Sequence, residues 1–326
     1  MKITVLGAGA WGTALARILA TREHDVTLWD FFPETIALMR QTGRNERYLP
    51  GIELPPNLRP EADAAKALTG AELVVVAAVS KGFRPVTQAL SAYEGIVVSV
   101  TKGIEFETGL TMTDILRENS PRARVVAMSG PTLAMEVARG IPTAIVAAST
   151  DPAAAQSVQS VFHSAAFRVY TSPDIHGVEL GGALKNVIAI GAGVCDGLGF
   201  GDNSKAALVT RAVSEMRRLG VACGAQAETF TGLSGLGDLM VTCFSKLSRN
   251  RGFGERLGKG ETAEAIVASM TAVAEGYPTA RSARELARKH GVETPIIEGV
   301  YAMCYEGKNV RQAVQDLTTR ESKAED

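Results

Sequence analysis

Lys185 lies inside an otherwise apolar stretch, Glu179-Leu180-Gly181-Gly182-Ala183-Leu184-Lys185-Asn186-Val187, with Ala189 following. Residues three and four apart share a helix face, so Gly181, Gly182 and Ala189 clear the face around the ammonium. Each helical glycine costs ~1 kcal/mol against alanine. A ligand pressed against the helix needs that clearing, which makes Lys185 a candidate for chemistry. The alternative is a close helix–helix contact through the glycines, with Lys185 snorkelling outward.

A second cluster suits phosphate. Gly7-Ala8-Gly9-Ala10-Trp11-Gly12 follows an apolar run and opens a helical pattern. Gly7 permits the turn, Gly9 lets backbone approach a pyrophosphate, and Gly12 lets helix and strand pack. The helix N-terminus then offers N–H groups and a positive dipole end. Asp30 closes the next strand pattern, 30 − 9 = 21 positions after Gly9, near the ~20 expected for an acid on a ribose 2′-hydroxyl. A carboxylate there repels a 2′-phosphate, and Phe31 and Phe32 supply no cation, so NAD is expected over NADP. Arg44 or Arg47 could swing in. The alternative role for Asp30 is to cap a turn before Pro33.

Three further constellations are polar. Thr101-Lys102-Gly103 follows an apolar run at 96–100, at a strand's carboxyl end where open α/β sheets bind ligands; alone, Lys102 reads better as a solvated loop lysine. Ser129-Gly130-Pro131-Thr132 is either an anion cradle or a capped turn with Thr132 as N-cap before Leu133. The segment 231–238 is a glycine-rich turn leading to a helix with Asp238 near its start, and Ser248-Arg249-Asn250-Arg251 follows. Arg249 and Asn250 pair a forked phosphate donor with a neutral amide donor; the alternative is a polar loop.

The elements that must position these residues alternate in the first half. Val/Ile-rich runs at 3–6, 26–29, 73–78, 96–100, 125–128 and 144–148 read as strands, with another at 167–170. Helical patterns cover 12–20, 33–40, 85–90 and 111–118, and Asp151-Pro152 opens one more to 162. That rhythm predicts an α/β domain with a Rossmann-like, mainly parallel sheet over 1–172. From 173 to 326 only helical patterns follow, at 177–194, 205–219, 262–270, 279–290 and 295–304. An all-helical second domain is expected there, with a fraying charged tail at 318–326.

Composition bounds the rest. The 326 residues suggest about two domains. Lys+Arg 34 against Asp+Glu 35 leaves a net charge of −1, which excludes binding nucleic acid or membrane surface by bulk positive charge. Apolar residues at 46 % exclude general disorder. Cys195, Cys223, Cys243 and Cys304 form no C-x-x-C and the histidines no H-x-x-x-H, so neither a disulfide scaffold nor a metal site is expected. Gly7, Gly9, Gly12 and Arg17 break the would-be signal peptide. No apolar stretch reads as approaching the ~18 residues of a membrane span, and a cytoplasmic protein is expected.

Taken in order, GAGAWG at 7–12, NERYLPG at 45–51, TKGIE at 101–105, SGPTLAMEVA at 129–138, ELGGALKNVIAI at 179–190, TGLSGLGDL at 231–239, SRNR at 248–251 and AEGYPTA at 274–280 cover nearly the whole chain. In this the chain resembles the bacterial NAD(P)-dependent glycerol-3-phosphate dehydrogenases. It departs at Val79-Ser80, where the family often has Pro-Ser, and at Asp30-Phe31-Phe32, where basic or histidine residues are common. The resemblance implies reversible reduction of dihydroxyacetone phosphate to sn-glycerol 3-phosphate, a precursor of glycerophospholipids, and a homodimer. It makes Lys185 the proton donor, and the base in oxidation. It places Lys102 on substrate and nicotinamide, and lets Asp238 orient Lys185 or the substrate hydroxyl. Arg249 and Asn250 would hold the phosphate, with Gly130, Thr132, Asn186, Thr242 and Ser248 nearby. Trp11, Phe31, Tyr48, Ala134, Arg249, Val273 and Glu275 match cofactor positions.

Two other classes compete. A nucleotide sensor on the same fold needs the glycine turn but not Lys185, Asp238, Arg249 and Asn250 together. A dehydrogenase for another phosphorylated or carboxylated hydroxy compound shares the fold, but SRNR argues for a phosphate.

Overall fold

The short apolar runs of the first half do become strands. In the computed structural model, which describes residues 1–270 and 272–321, the first part of the chain runs β1 (Lys2–Leu6), α1 (Ala10–Thr21), β2 (Asp25–Trp29), α2 (Pro33–Thr42), β3 (Leu58–Glu61), α3 (Ala64–Leu68), β4 (Leu73–Val76), α4 (Ser80–Thr87) and β5 (Ile96–Ser99). It continues through α5 (Met112–Asn119), β6 (Arg124–Ser129), α6 (Ala134–Ala138), β7 (Thr143–Ala148), α7 (Pro152–Phe162) and β8 (Phe167–Ser172). The strands form one sheet in the order β3-β2-β1-β4-β5-β6-β7-β8, and only β6–β7 pairs antiparallel. Successive strand residues face opposite sides, so two cores form. Ile3, Val5, Val26, Leu28, Val75 and Val98 belong to one; Leu6, Val74, Val76 and Val97 belong to the other. Each such side chain contributes about 1.5–3 kcal/mol when fully buried. The chain order reverses beside β1, where β4 is its other neighbour, and that is where open α/β sheets place a ligand crevice.

Local chemistry sets several starts. Thr111 and Asp114 form a capping box on α5, and the Asp151 side chain caps α7 ahead of Pro152. Thr132 does not cap a helix. Its hydroxyl donates to Gly130 O at 3.1 Å, and Leu133 is the N-cap of α6. The helix expected at 85–90 begins earlier, at Ser80, with Pro85 inside it. β3 is not legible in the sequence because Leu-Arg-Pro-Glu is not an apolar run; it is an edge strand, where proline is tolerated.

The remainder is helical: α8 (Ile175–Gly197), α9 (Asp202–Ala222), α10 (Asp238–Phe244), α11 (Arg249–Gly258), α12 (Ala263–Ser269), α13 (Gly276–Lys289), α14 (Pro295–Tyr305) and α15 (Val310–Thr318). No strand occurs there among the described residues. The expected fraying over 318–326 falls mostly outside them. The chain divides into two compact units, Met1–Gly103 with Leu110–Glu179, and Ile104–Gly109 with Leu180–Asp326. The first turn of α8 thus belongs to the first unit.

One expectation is corrected by α8. This helix has 23 residues and a mean hydropathy of 1.4 over its most apolar window, enough by length and composition to cross a membrane. Lys185, Asn186 and the glycines hide its length in the sequence. That whole window is buried inside the protein, so α8 is read as a core helix. Its C-terminal half packs backbone to backbone on α11. A Cβ on Gly193 would lie 1.9 Å from Arg251 O, and one on Gly254 1.9 Å from Ile190 O. Gly197 and Gly258 extend the same contact, and no larger residue fits it.

Candidate functional site

In the first unit the glycine turn supplies backbone groups. Gly7 adopts φ +113°, and a Cβ there would lie 2.8 Å from Ala77 O. At Gly12 a Cβ would lie 1.9 Å from Gly7 O, whereas Gly9 has nothing within 4 Å. Gly7 and Gly12 therefore close the turn, and Gly9 leaves open space before α1. Gly9 caps α1 without a side-chain bond, so the first N–H groups of the helix lack intrahelical partners. Side chains brace the turn. Asp30, buried at the end of β2, accepts from Ala8 N–H at 2.7 Å and from Phe32 N–H at 3.0 Å. Asn45 donates to Ala8 O at 2.7 Å and to Thr13 Oγ1 at 2.8 Å. In the sequence Asn45 stands out only as the start of the block at 45–51; its amide contact is non-local and nothing in the spacing announces it.

Phe31 and Phe32 are exposed. Arg44 pairs with Glu53 at 2.6 Å, and the Arg47 guanidinium lies over the half-buried Tyr48 ring at 5.1 Å. The buried Trp11 indole N–H has no hydrogen-bond partner. Half-buried Ala134 packs on the sheet core. At the carboxyl ends of β5 and β6, Lys102 Nζ donates to Gly130 O at 3.1 Å. A tight turn, a helix start with no side-chain cap and open space at Gly9 fit the pyrophosphate of a dinucleotide.

In the second unit the polar groups that meet belong to side chains. Lys185 is buried in the middle of α8, and its Nζ lies 2.9 Å from Asp238 Oδ1 and 2.7 Å from Thr242 Oγ1. Thr242 donates in turn to Asp238 O at 2.6 Å, which leaves its oxygen free to accept from the ammonium. Asp238 opens α10 and is delivered by a π-helical turn over Leu233–Gly237, a geometry frequent at functional sites. Lys185 does not snorkel outward. The cleared-face reading of Gly181 is also corrected: a Cβ there would lie 2.8 Å from Ser234 O, so this glycine lets α8 pack on the turn that presents Asp238.

Ser248, Arg249 and Asn250 form the start of a helix instead of a polar loop. The Ser248 side chain caps α11 by accepting from Arg251 N–H at 3.2 Å. Asn250 donates to Asn186 Oδ1 at 2.8 Å and accepts from Gly276 N–H at 2.9 Å. Asn186 follows Lys185 on α8, so the two polar clusters share one helix. Arg249 is exposed at the start of α11, and the half-buried Glu275 is the opposite charge that acts on it. Val273 is exposed nearby in sequence. A buried ammonium fixed by a carboxylate and a hydroxyl, beside a cationic helix start, can give a proton to a ligand oxygen and hold an anion.

Residues 2–155 match the family model described as NAD-dependent glycerol-3-phosphate dehydrogenase N-terminus, and residues 174–315 match its C-terminus. The chain is 49 % identical to a glycerol-3-phosphate dehydrogenase [NAD(P)+] of Anaeromyxobacter dehalogenans, covering 100 % of both chains. It is 51 % identical to that of Trichlorobacter lovleyi, over 100 % of this chain and 99 % of the relative. A crystal structure of glycerol-3-phosphate dehydrogenase from Coxiella burnetii superposes with a TM-score of 0.95 at 36 % identity, covering 98 % of this chain and 99 % of that one.

Proposed function

The chain belongs to the NAD-dependent glycerol-3-phosphate dehydrogenase family, and from that premise we propose how its residues reduce dihydroxyacetone phosphate to sn-glycerol 3-phosphate, a glycerophospholipid precursor. When bound, the nicotinamide cofactor supplies the hydride. Lys185 gives a proton to the carbonyl oxygen as it becomes an alkoxide, and takes it back in oxidation. Asp238 keeps the ammonium aimed, and Thr242 fixes its rotamer. Donation leaves a buried carboxylate beside a neutral amine, an unfavourable state that reprotonation relieves. Arg249 holds the phosphate at the start of α11, with Asn250 and Ser248 shaping that helix end. The observation that carries this reading is the buried Lys185–Asp238–Thr242 set. Following NADH or NADPH oxidation with dihydroxyacetone phosphate tests it; no turnover with either cofactor overturns it.

NAD is proposed over NADP. The Asp30 carboxylate stands at the end of β2, Phe31 and Phe32 carry no charge, and Arg44 is held by Glu53. The contacts expected of Lys102, Gly130, Thr132, Trp11, Tyr48, Ala134, Val273 and Glu275 belong to the same proposal, as do a homodimer and a cytoplasmic location. Alanine variants, sedimentation and cell fractionation test these in turn.

A further inference from the structure

SRNR ends in a second arginine to which neither the family reading nor the phosphate argument gives a task. Arg251 is buried, and its guanidinium reaches three elements. Nε donates to Ser245 O at 3.0 Å, at the C-cap of α10. Nη1 donates to Asp196 Oδ2 at 2.5 Å, near the end of α8. Nη2 pairs with Glu255 at 3.0 Å on α11 itself. Asp196 also binds Lys205 from α9, and the Lys205 ammonium lies over the Phe244 ring of α10 at 5.2 Å. The same three helices carry Lys185 (α8), Asp238 and Thr242 (α10), and Ser248, Arg249 and Asn250 (α11).

We propose that Arg251, held by Asp196, is the positioning residue that sets the phosphate-holding start of α11 relative to the proton-donating Lys185. The proposal rests on the reading of Lys185 and Arg249 given above. Arg251 acts at a distance: Asp196 is 196 − 185 = 11 residues beyond Lys185 on α8, roughly 16 Å along a helix. A planar fork with donors in fixed directions can bind a carbonyl, an aspartate and a glutamate at once; a lysine ammonium cannot reproduce that geometry. The close backbone contacts of Gly193 with Arg251 and of Gly254 with Ile190 hold α11 against α8, while the bond to Ser245 O ties α11 to the end of α10. Loosening that tie lets substrate remain bound by its phosphate but presents its carbonyl off line.

The test uses the full-length protein with Arg251→Lys, Asp196→Asn and the double variant. Each single variant is expected to lower kcat for dihydroxyacetone phosphate about 10- to 100-fold, as a misplacement of about 1 Å does, with KM within about threefold. NADH affinity, read by fluorescence titration, stays unchanged. The double variant is expected to be no worse than the more damaging single one within about threefold, because Asp196 acts on α11 through Arg251. A raised KM with unchanged kcat overturns the proposal, since Arg251 would then bind the phosphate itself. A lowered melting temperature with both kinetic constants intact also overturns it, as does an additive double variant. If Arg251→Lys does not fold, Asp196→Asn carries the same kinetic test alone. Failure of the underlying reading shows separately: Lys185→Ala would then retain its kcat, whatever Arg251→Lys does.

Discussion

Ala8 in the first unit and Lys185 in the second are each held from two sides, but different parts of the residue are held. At Ala8 it is the backbone: Asp30 takes the N–H and Asn45 the C=O, each at 2.7 Å. At Lys185 it is the ammonium, gripped by Asp238 at 2.9 Å and Thr242 at 2.7 Å. The first arrangement fixes the peptide groups of the glycine turn, which on the proposed reading would meet a ligand collectively. The second aims one charged atom. Removing a brace in the first unit should loosen cofactor binding by degrees. Removing the aimed group in the second should stop the chemistry.

The largest expected effect follows directly. Lys185→Ala should reduce kcat by ~10²–10⁴-fold, the usual loss of a general acid, while NADH affinity stays near wild type. A loss under about tenfold would take Lys185 out of proton transfer. Next comes Arg249→Ala. A charge-assisted bond to phosphate is worth ~1.5–3 kcal/mol, so KM for dihydroxyacetone phosphate should rise about 10- to 100-fold. KM for unphosphorylated dihydroxyacetone should not move. Equal losses on both substrates would show that Arg249 does not read the phosphate, and weaker NADH binding would assign it to the cofactor instead.

A smaller change tests how the second unit holds its side chains. In Gly254→Ala the new Cβ would meet Ile190 O at 1.9 Å, a backbone atom that no rotamer change can move. Overpacking of this kind costs about 1–3 kcal/mol, seen as a lower urea midpoint. Gly9→Ala is the contrast, because nothing lies within 4 Å of its Cβ position. Its stability should be near wild type while NADH binding weakens. Equal destabilisation by the two substitutions would erase the distinction between glycines that serve packing and glycines that serve a ligand.

That distinction also marks what can be read from the sequence. The glycine turn is a local motif between a strand and a helix, so Gly7, Gly9 and Gly12 carry their roles in their spacing. The alternation of β1 through β8 is legible for the same reason, except at β3, whose Arg59 and Pro60 belong to an edge. Gly181 misleads because its partner, Ser234, lies 53 residues on; only the fold brings the two backbones together. Arg249 and Asn250 read as loop for a related reason. Glycines at 252, 254 and 258 weaken helix propensity in α11, and the packing against α8 that compensates is non-local. Lys185 is conspicuous through its odd setting, but its grip by Asp238 and Thr242 depends on a π-helical turn that no period announces.

Asp30 belongs to both sides of the comparison, and its effect should be the smallest. Both of its oxygens accept backbone N–H groups, from Ala8 and from Phe32, so it braces the turn as Asn45 does. Each oxygen keeps a second lone pair that could accept from a ribose hydroxyl. Its charge also acts on whatever approaches: two unit charges about 4 Å apart interact by ~1 kcal/mol in water and ~4 kcal/mol near a protein surface. The brace serves either cofactor; the charge disfavours only a 2′-phosphate. Asp30→Gly should therefore lower kcat/KM for NADH and for NADPH, but less for NADPH, narrowing a wild-type preference for NADH by about three- to tenfold. An equal loss with both cofactors would leave Asp30 a brace alone. A wild-type preference for NADPH would move the choice to a cation, with Arg44 released from Glu53 or Arg47 lifted from Tyr48 as the groups to substitute next.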